Sequence, residues 1–356
     1  MSHADSRELL APLAPWFDAN RRAMPWRAEN LDAPHPDPYA VLVSEAMLQQ
    51  TQVATVIPYF ERWMHRFPDV AALADAASDD VHKAWEGLGY YRRARLLQSA
   101  AQALHHQGWP GDLEGLLALP GLGPYTAAAV GSIAFQWPVA ALDGNAFRVL
   151  ARLLRIEGDP KLHAAELRAW LSPALAAHGP SRITQAVMEL GATHCAPQPR
   201  CEACPIRQGC GAMAAGLQAE IPPPTKRAAP KESDLWLLAI EHRGEFLLHA
   251  PGGKGLLAGL WRWPIQPLAV GAAEGPLPTG LIARAFPGWT QVYTHRRERV
   301  SPLHLQPLDR PAAAEDQRWI PAAHLQELAM GKRDARLRDL LQGPGERPLS
   351  LPMDLL

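Results

Sequence analysis

The chain has 356 residues, a formal net charge of −1 and a hydrophobic content of 47%. This length allows two domains with separate cores, and the near-zero charge excludes nucleic-acid binding through overall charge alone. No run of about 20 apolar residues is present, and residues 1–17 lack the pattern of a secretory signal. We therefore expect a cytoplasmic protein without a membrane-spanning helix.

The composition divides the chain near residue 220. Helical periodicity dominates before it, for example in one helix face formed by Ala94, Leu97, Ala101 and Leu104. Residues 221–233 are rich in proline and charge, which favours an extended linker, and strand-like runs at 235–242, 245–250 and 291–295 follow. The sequence therefore predicts an all-α domain over 1–215, a linker over 216–233 and an α+β domain over 234–356.

A helix is predicted over residues 38–48, and it carries a carboxyl group among apolar side chains. Glu45 is flanked by Val43 and Met47, and apolar surroundings raise the pKa of a carboxyl group. Such a group is a proton donor near neutral pH, whereas the alternative is an exposed surface glutamate. We expect Thr51 to cap the next helix, which is kinked by Pro58. The apolar face of that helix is expected to consist of Ile57, Phe60, Met64 and Phe67.

The segment LPGLGPYTA at 119–127 predicts two short helices joined by a tight turn. Gly121 and Gly123 permit the turn, while Leu119 and Leu122 are expected to pack against the core. A helix that begins near Pro124 presents free backbone N–H groups, which suit a DNA phosphate. An ordinary corner between two helices is the alternative.

A second carboxyl group precedes the helix predicted to begin at Gly144. Asp143 is expected to cap this helix, a role that can be purely structural. Backbone N–H donors at the cap are expected to keep Asp143 ionised while Glu45 stays protonated. Two carboxyl groups with separated pKa values form the acid-plus-stabiliser pair of glycosidic bond cleavage.

All the cysteines of the chain fall within residues 195–210. Cys195, Cys201, Cys204 and Cys210 follow the spacing C-x5-C-x2-C-x5-C, which indicates one metal site with thiolate ligands. An iron–sulfur cluster and zinc both fit this spacing, and disulfides are a third alternative.

Six segments in order resemble the iron–sulfur DNA glycosylases of the helix–hairpin–helix superfamily, and within it the MutY-type adenine DNA glycosylases. They are PWR at 25–27, SEAMLQQTQV at 44–53, GLGYYRRAR at 87–95, LPGLGPYTAAAV at 119–130, LDGNAFRVLARL at 142–153 and MELGATHC at 188–195. The resemblance implies a monomer with one 4Fe–4S cluster. It also implies excision of adenine opposite 8-oxoguanine or guanine in duplex DNA, after the nucleotide has been flipped out.

The resemblance also assigns site residues. Catalytic roles fall on Glu45 as acid and Asp143 as stabiliser, with Tyr125 and Asn145 in support. The adenine pocket is expected to contain Trp26, Arg27, Leu48 and Glu189. Residues expected to contact DNA are Gln50, Thr51, Tyr90, Gly121, Gly123 and Thr126. Core packing is the alternative for Trp26 and Tyr90.

Two features of the first domain differ from related proteins. Bifunctional relatives such as endonuclease III carry a nucleophilic lysine where this chain has Tyr125, so we expect a monofunctional glycosylase. The first two cysteines enclose one residue fewer than the usual C-x6-C of the family. Arg200 and Arg207 in this loop are expected to face phosphates or to be surface charges.

The second domain resembles the MutT-like, or Nudix-like, domain that recognises 8-oxoguanine. Residues 252–264 contain no glutamate, so the carboxylates that bind Mg²⁺ in Nudix hydrolases are missing from this segment. The recognition residues are expected to be Tyr293, Thr294 and His295. Three arginines that follow are expected either to contact phosphate or to lie on an exposed strand: Arg296, Arg297 and Arg299.

Two other functions remain open at this point. One is an endonuclease III-like glycosylase that acts on a mispaired pyrimidine, and Tyr125 argues against it. The other is a non-catalytic DNA-binding or redox-signalling iron–sulfur protein, and Glu45 and Asp143 argue against that.

Overall fold

A computed structural model describes residues 5–224, 229–252, 255, 257–268 and 282–343. They form two compact units, of which the first contains residues 5–75 and 96–224. The second contains residues 76–95 together with the described residues from 229 to 343. Residues 76–95 were predicted inside the helical domain, but their contacts group them with the second unit. In the described part of the chain, no helix is long and apolar enough to cross a membrane.

The helices are numbered in chain order. They are α1 (Ser6–Leu10), α2 (Leu13–Asn20), α3 (Pro38–Leu48), α4 (Val53–Arg66), α5 (Val70–Asp75), α6 (Ser78–Ala84), α7 (Arg92–Gln107), α8 (Leu113–Ala118), α9 (Pro124–Phe135), α10 (Gly144–Leu153), α11 (Ala164–His178), α12 (Pro180–Thr193), α13 (Gly211–Ala214) and α14 (Lys332–Gln342).

Helix α3 confirms the predicted helix over residues 38–48. Asp37 caps it by accepting hydrogen bonds from the backbone N–H groups of Tyr39 and Ala40, and Pro38 occupies the first turn. The predicted cap of α4 is wrong, because Gln52 precedes this helix and makes no side-chain cap bond. The Thr51 hydroxyl instead donates to the Gln49 carbonyl at 3.4 Å.

The buried face of α4 is displaced by one residue from the predicted face. Val56, Phe60 and Trp63 are buried along the helix, whereas Ile57 and Met64 are only partly buried. Pro58 lies inside α4, as predicted, and Phe67 is buried just after it. The prediction erred because Val56 and Trp63 offer an equally apolar stripe beside the chosen one.

The helices nearest the predicted motifs begin where the sequence placed them. Helix α9 begins at Pro124 and α10 at Gly144, directly after the cap at Asp143. Leu119 and Leu122 are both buried, as expected. The predicted face of α7 is also confirmed, since its four residues are buried: Ala94, Leu97, Ala101 and Leu104.

The core of the first unit contains residues of α10, α11 and α12, with α1 and α2 packed against them. Ile221 is buried in this core, although it was predicted to lie in the linker. The connector is therefore shorter than predicted on both sides, because the first strand of the second unit already begins at Lys231.

The second unit is an α+β fold. Its strands are β1 (Lys231–His242), β2 (Glu245–His249), β3 (Ile265–Leu268), β4 (Ile282–Ala285), β5 (Trp289–Val292), β6 (Arg296–Leu305) and β7 (Gln317–Pro321). The order β4–β6–β1–β2–β7 runs across the sheet, with β3 paired to β1 and β5 to β6. Strands β1 and β6 are parallel, and the other pairs are antiparallel. The core of the second unit includes Trp263, Met330 and, from α14, Leu337.

Candidate active site

A cavity of about 790 Å³ in the first unit brings together residues that are far apart in the sequence. All four residues with predicted catalytic roles line it: Glu45, Tyr125, Asp143 and Asn145. The four residues of the predicted adenine pocket line it too: Trp26, Arg27, Leu48 and Glu189. Gln50 and Thr51 lie on the same cavity wall. A single concave site therefore contains most of the predicted residues of the first unit.

Glu45 is 6% exposed, so the alternative of a surface glutamate is wrong. Its Oε2 atom accepts a hydrogen bond from the Tyr125 hydroxyl at 2.7 Å. Burial raises the pKa of Glu45 to about 7, and the charge of Asp143 adds to the rise against the opposing effects of Tyr125 and Arg27. The predicted upward shift is confirmed, and at neutral pH this carboxyl group can hold a proton.

Asp143 caps α10 as predicted. Its Oδ1 atom accepts from the backbone N–H of Ala146 at 2.6 Å, and its Oδ2 atom accepts from the Asn145 amide at 2.9 Å. These donors were expected to keep its pKa low. Burial outweighs them, however, and the pKa of Asp143 is raised above its usual value. The pKa values of Glu45 and Asp143 are therefore both raised.

Asn145 is held from behind by Arg148, a residue that the sequence did not single out. The Arg148 guanidinium donates to the Asn145 side-chain oxygen at 2.7 Å and to the Gly191 carbonyl at 2.8 Å. Its Nε atom donates to the Cys195 carbonyl at 2.8 Å. A Cβ atom on Gly191 would lie 2.6 Å from the Cβ of Asn145, so only glycine permits this approach of α12 to α10.

Glu189 is 2% exposed and bound by two arginines. Its Oε1 atom lies 2.5 Å from Arg22 Nε, and its Oε2 atom lies 2.8 Å from Arg27 Nη2. Burial favours the neutral acid, but the two arginines outweigh it and lower the pKa of Glu189. Glu189 is therefore an ionised anchor of the cavity wall, and Arg22 is a second cavity residue that the sequence did not reveal.

Trp26 combines the two roles that were weighed for it. Its ring is buried and packs edge-on against Phe60 with the ring centroids 5.3 Å apart. It also lines the cavity. Core packing and a place in the pocket are thus compatible for this residue.

The turn after α3 has a backbone that most residues avoid. Gln50 has a φ of 58°, in the left-handed region. Beside it, the Gln49 amide donates to the Thr126 hydroxyl at 3.1 Å. Thr126 is buried, which does not fit a phosphate contact through its hydroxyl. Its side chain supports the Gln49–Thr51 turn instead.

The turn before α9 requires glycine at one of its two glycine positions. Gly121 has a φ of 79°, and an added Cβ would lie 2.5 Å from the Cβ of Leu96. Gly123 is the N-cap residue of α9 and leaves open space where a Cβ would be, and no side chain caps this helix. The helix end is therefore open to an anion, and the phosphate contact stays a prediction.

Comparison with known proteins identifies the family. The HhH-GPD superfamily of base excision DNA repair proteins matches residues 43–173, which include Glu45 and Asp143. The adenine DNA glycosylase of Mycobacterium tuberculosis is 37% identical over 244 residues, which cover 65% of this chain and 75% of that protein. The chain belongs to the adenine DNA glycosylase family. The resemblance drawn from the six sequence segments is thereby confirmed.

Some members of the adenine DNA glycosylase family are longer than this chain. The Homo sapiens protein is 36% identical over 310 residues, covering 71% of this chain and 56% of that protein. The chain spans about half the length of this relative and 48% of the Arabidopsis thaliana one. A thermostable thymine-DNA glycosylase structure superposes with a TM-score of 0.52 at 24% identity, covering 59% of this chain and 97% of the other. This superposition confirms the helical glycosylase fold.

The cysteine loop of this family member is organised by a buried arginine. Arg152 is 3% exposed and donates to the carbonyl groups of Ile221 at 2.7 Å and Ala196 at 2.6 Å. It also donates to the Cys195 sulfur at 3.4 Å. This guanidinium places a positive charge beside the thiols and fixes the backbone that carries the first of them.

None of the four cysteines forms a disulfide, which argues against disulfides as the reason for their clustering. Burial raises the pKa of Cys204 to about 11, and the nearby Cys195, Cys210 and Cys201 add to the rise. Among the described residues, no group of three or more histidine, cysteine or acidic side chains is arranged to hold a metal ion. Arg200 donates to the carbonyl of Thr193 at the end of α12, and Arg207 donates to the carbonyl of Glu202 within the loop.

The second unit contains the residues expected to recognise 8-oxoguanine in this family. Thr294 and His295 form the exposed tip of the hairpin between β5 and β6, where the Tyr293 N–H donates to the Arg296 carbonyl at 2.7 Å. The hydroxyl groups of Thr294 and Tyr90 are hydrogen-bonded to each other. Tyr90 is 39% exposed, so core packing does not explain it.

The three arginines after this tip are paired with carboxylates. Arg296 binds Glu298 at 3.0 Å. Arg297 binds Glu232 at 3.1 Å, and Arg299 binds Asp234 at 2.8 Å. Their charges are neutralised within the sheet, which favours the strand alternative over a phosphate contact.

Burial of Glu45 gives a stability prediction that does not depend on activity. In the unfolded chain the Glu45 carboxyl group loses its proton near pH 4.5, whereas in the folded protein it retains the proton up to about pH 7. Stability therefore falls as pH rises through this window, by roughly 3 kcal/mol. Glu45→Gln has no such proton and is expected to gain stability over the original chain between pH 4.5 and 8. Urea unfolding at pH 4.5 and at pH 8 measures the free energy of unfolding of both proteins. An equal pH dependence of that free energy in the two proteins would contradict the prediction.

Proposed function

We propose that the chain is a monofunctional DNA glycosylase that excises adenine mispaired with 8-oxoguanine or guanine. The single observation that carries the proposal is the cavity shared by Glu45 and Asp143, in which Glu45 has a pKa of about 7. A protonated acid and a second carboxyl group in one cavity suit cleavage of an N-glycosidic bond. The partner is duplex DNA with such a mispair, and the protein acts on it as a cytoplasmic monomer.

The proposed reaction begins with adenine flipped into the cavity. Glu45 donates its proton to N7 of the purine, which makes the base a better leaving group as the bond to the sugar breaks. Asp143, in its ionised form, stabilises the oxocarbenium-like sugar. Glu45 is then a carboxylate that can accept a proton from the attacking water, which restores the starting state.

Tyr125 supports a monofunctional reaction. Its hydroxyl donates to Glu45, and burial raises its pKa well above the usual value, so it supplies neither an amine nor a phenolate nucleophile. Strand cleavage through a Schiff base needs an amine. Borohydride trapping on an adenine-containing duplex is therefore expected to yield no covalent complex, and an efficient trap would contradict this assignment.

An excision assay tests the proposed substrate. Duplexes that carry adenine opposite 8-oxoguanine, guanine, cytosine or thymine are incubated with the full chain, and abasic sites are cleaved with alkali. Release from the first two duplexes is expected. Excision of a pyrimidine instead would favour the endonuclease III-like function, and no excision beside tight binding would favour a non-catalytic protein.

The second unit is proposed to be a Nudix-like module that recognises 8-oxoguanine through Tyr293, Thr294 and His295. The hydrogen bond between the hydroxyl groups of Thr294 and Tyr90 supports this role. It joins the hairpin tip to Tyr90, which is predicted to contact DNA. Cutting the chain near Lys226, which lies outside the described residues, would separate residues 76–95 from the unit they pack with. Point variants in the full chain are therefore the better test.

Thr294→Ala is expected to lower the preference for 8-oxoguanine over guanine while leaving adenine excision opposite guanine nearly unchanged. The exposed hydroxyl has no core role, so folding should be retained. The ratio of the two excision rates measures the effect. A matched control is Thr290→Ala on β5 of the same hairpin, and an unchanged ratio in Thr294→Ala would reject the recognition role.

We further propose that Cys195, Cys201, Cys204 and Cys210 hold one 4Fe–4S cluster. Four free thiols on one short loop supply the donor set that this cluster uses, and Arg152 offers positive charge to an anionic cluster. Such a cluster would order the loop. Purified protein is expected to show a broad absorption band in the visible region at about 400 nm, as proteins with iron–sulfur clusters do. A colourless protein that contains zinc would contradict the iron assignment.

A further inference from the structure

Two carboxylates and an arginine are buried together in the second unit, beside the hairpin formed by β5 and β6. Glu298 of β6 is 3% exposed, while Arg333 and Asp334 at the start of α14 are 4% and 0% exposed. Arg333 lies 3.2 Å from Glu298 and 3.0 Å from Asp334. The Asp334 carboxylate also accepts from the backbone N–H of Trp263 at 2.9 Å, which fixes the cluster to the core of the unit.

Both carboxylate oxygens of Glu298 have partners. Oε1 lies 3.0 Å from Nε of Arg296, and Oε2 lies 3.2 Å from Nη1 of Arg333. The same Oε2 atom accepts a hydrogen bond from the Tyr293 hydroxyl at 3.3 Å. Because desolvation offsets much of the attraction between buried charges, this cluster is better suited to fixing one arrangement of side chains than to adding stability.

Tyr293 differs from the two residues that follow it in the hairpin. Thr294 and His295 are exposed at the tip, whereas Tyr293 is half-buried. Burial raises the pKa of Tyr293, an effect that Arg333 opposes and Glu298 supports. The tyrosine hydroxyl therefore keeps its proton at neutral pH and donates it to the hydrogen bond with Glu298.

We propose that Glu298 is a positioning residue of this hairpin: it holds Tyr293 in place, so that Thr294 and His295 make the contact with 8-oxoguanine. The inference rests on the proposed recognition function and refines it, because Tyr293 becomes an anchor of the tip rather than a contact to the base. A side chain that is ordered before DNA arrives removes part of the entropic cost of binding. Buried partners of this kind keep a binding site in its productive geometry.

The test is a double-mutant cycle on Tyr293 and Glu298 in the full chain. Tyr293→Phe removes the hydroxyl alone, Glu298→Ala removes its acceptor, and Glu298→Gln keeps an acceptor. Dissociation constants are measured for duplexes in which a hydrolysis-resistant analogue of adenosine lies opposite guanine or 8-oxoguanine, and their ratio gives the preference for 8-oxoguanine. Tyr293→Phe and Glu298→Ala are each expected to lower this preference by about 3- to 10-fold, as the loss of one hydrogen bond does, while Glu298→Gln stays within about 2-fold of the original chain.

The double variant separates positioning from a general structural effect. If Glu298 acts through Tyr293, Glu298→Ala lowers the preference in the original chain but lowers it no further in the Tyr293→Phe background. An equal loss in both backgrounds would overturn the proposal, and so would an unchanged preference in Tyr293→Phe. Glu232→Ala is the matched control, because Glu232 on the neighbouring strand β1 is exposed and binds Arg297 of β6 at 3.1 Å.

A failure of the proposed function would give a different result. An original chain that binds both duplexes equally would reject recognition of 8-oxoguanine, and this inference with it. A preference that survives both Tyr293→Phe and Glu298→Ala would reject the positioning role alone. Thermal unfolding of each variant shows whether the second unit is folded, and if Glu298→Ala does not fold, Tyr293→Phe and Glu298→Gln decide the outcome.

Discussion

Glu45→Gln is expected to reduce adenine excision by about 10²–10⁴-fold, which is the usual contribution of a general acid. Glutamine fills the same volume and can accept the Tyr125 hydrogen bond, but it has no proton to give to the purine. Single-turnover excision from an adenine–8-oxoguanine duplex measures the loss, and binding to the same duplex is expected to persist. Glu61→Gln on the exposed face of α4 is the matched control.

The pH dependence gives a second view of the same residue. The protonated form of Glu45 is the donor, so the excision rate is expected to fall as pH rises above about 7. This fall in rate above about pH 7 should be absent in Glu45→Gln, because glutamine has no proton that titrates in this range. A variant that excises adenine at the original rate would remove Glu45 from the acid role.

Asp143→Asn is expected to reduce the excision rate by about 10²–10³-fold, comparable to the loss of one electrostatic stabiliser of a transition state. Asparagine is an equally good helix cap, so the bond from the Ala146 N–H is retained and α10 should remain intact. The change therefore removes the negative charge and the Oδ2 acceptor of the Asn145 amide, while the cap of α10 is kept. Single-turnover rates and thermal unfolding of the same variant separate the two effects.

Asp112→Asn provides a matched control for that variant. Asp112 caps α8 in the same unit by accepting from the Gly115 N–H at 2.8 Å, and it does not line the cavity. Both variants should unfold near the temperature of the original chain, and only Asp143→Asn should lose excision. Equal rates in the two variants would assign Asp143 a purely structural role.

Local sequence signals predicted the two carboxyl groups of the site well. Apolar neighbours on both sides of Glu45 indicated burial, and the helix signal after Asp143 indicated a cap. The raised pKa of Asp143 was missed because the sequence indicates its hydrogen-bond donors but not the depth at which they are buried. Burial is a property of the assembled core rather than of the segment.

Long-range partners could not be predicted from the sequence. Arg22 binds Glu189, which lies 167 positions away, and nothing near either residue indicates the other. Arg148 looks like the polar side of an amphipathic helix, yet it holds Asn145 and the cysteine loop together. Periodicity shows that a face is buried but not which element covers it, and for this reason the sequence did not indicate that residues 76–95 pack with the second unit.

The grouping of residues 76–95 with the second unit has a consequence for protein engineering. Tyr91 donates to the Met330 carbonyl at 3.1 Å, and the Glu86–Arg338 pair joins the same two parts of the chain. A chimaera made by swapping everything after a single crossover at the connector would combine halves that never evolved together. Transplanting the carboxyl-terminal module onto another glycosylase therefore calls for two exchanged pieces, one of them embedded inside the recipient's helical sequence.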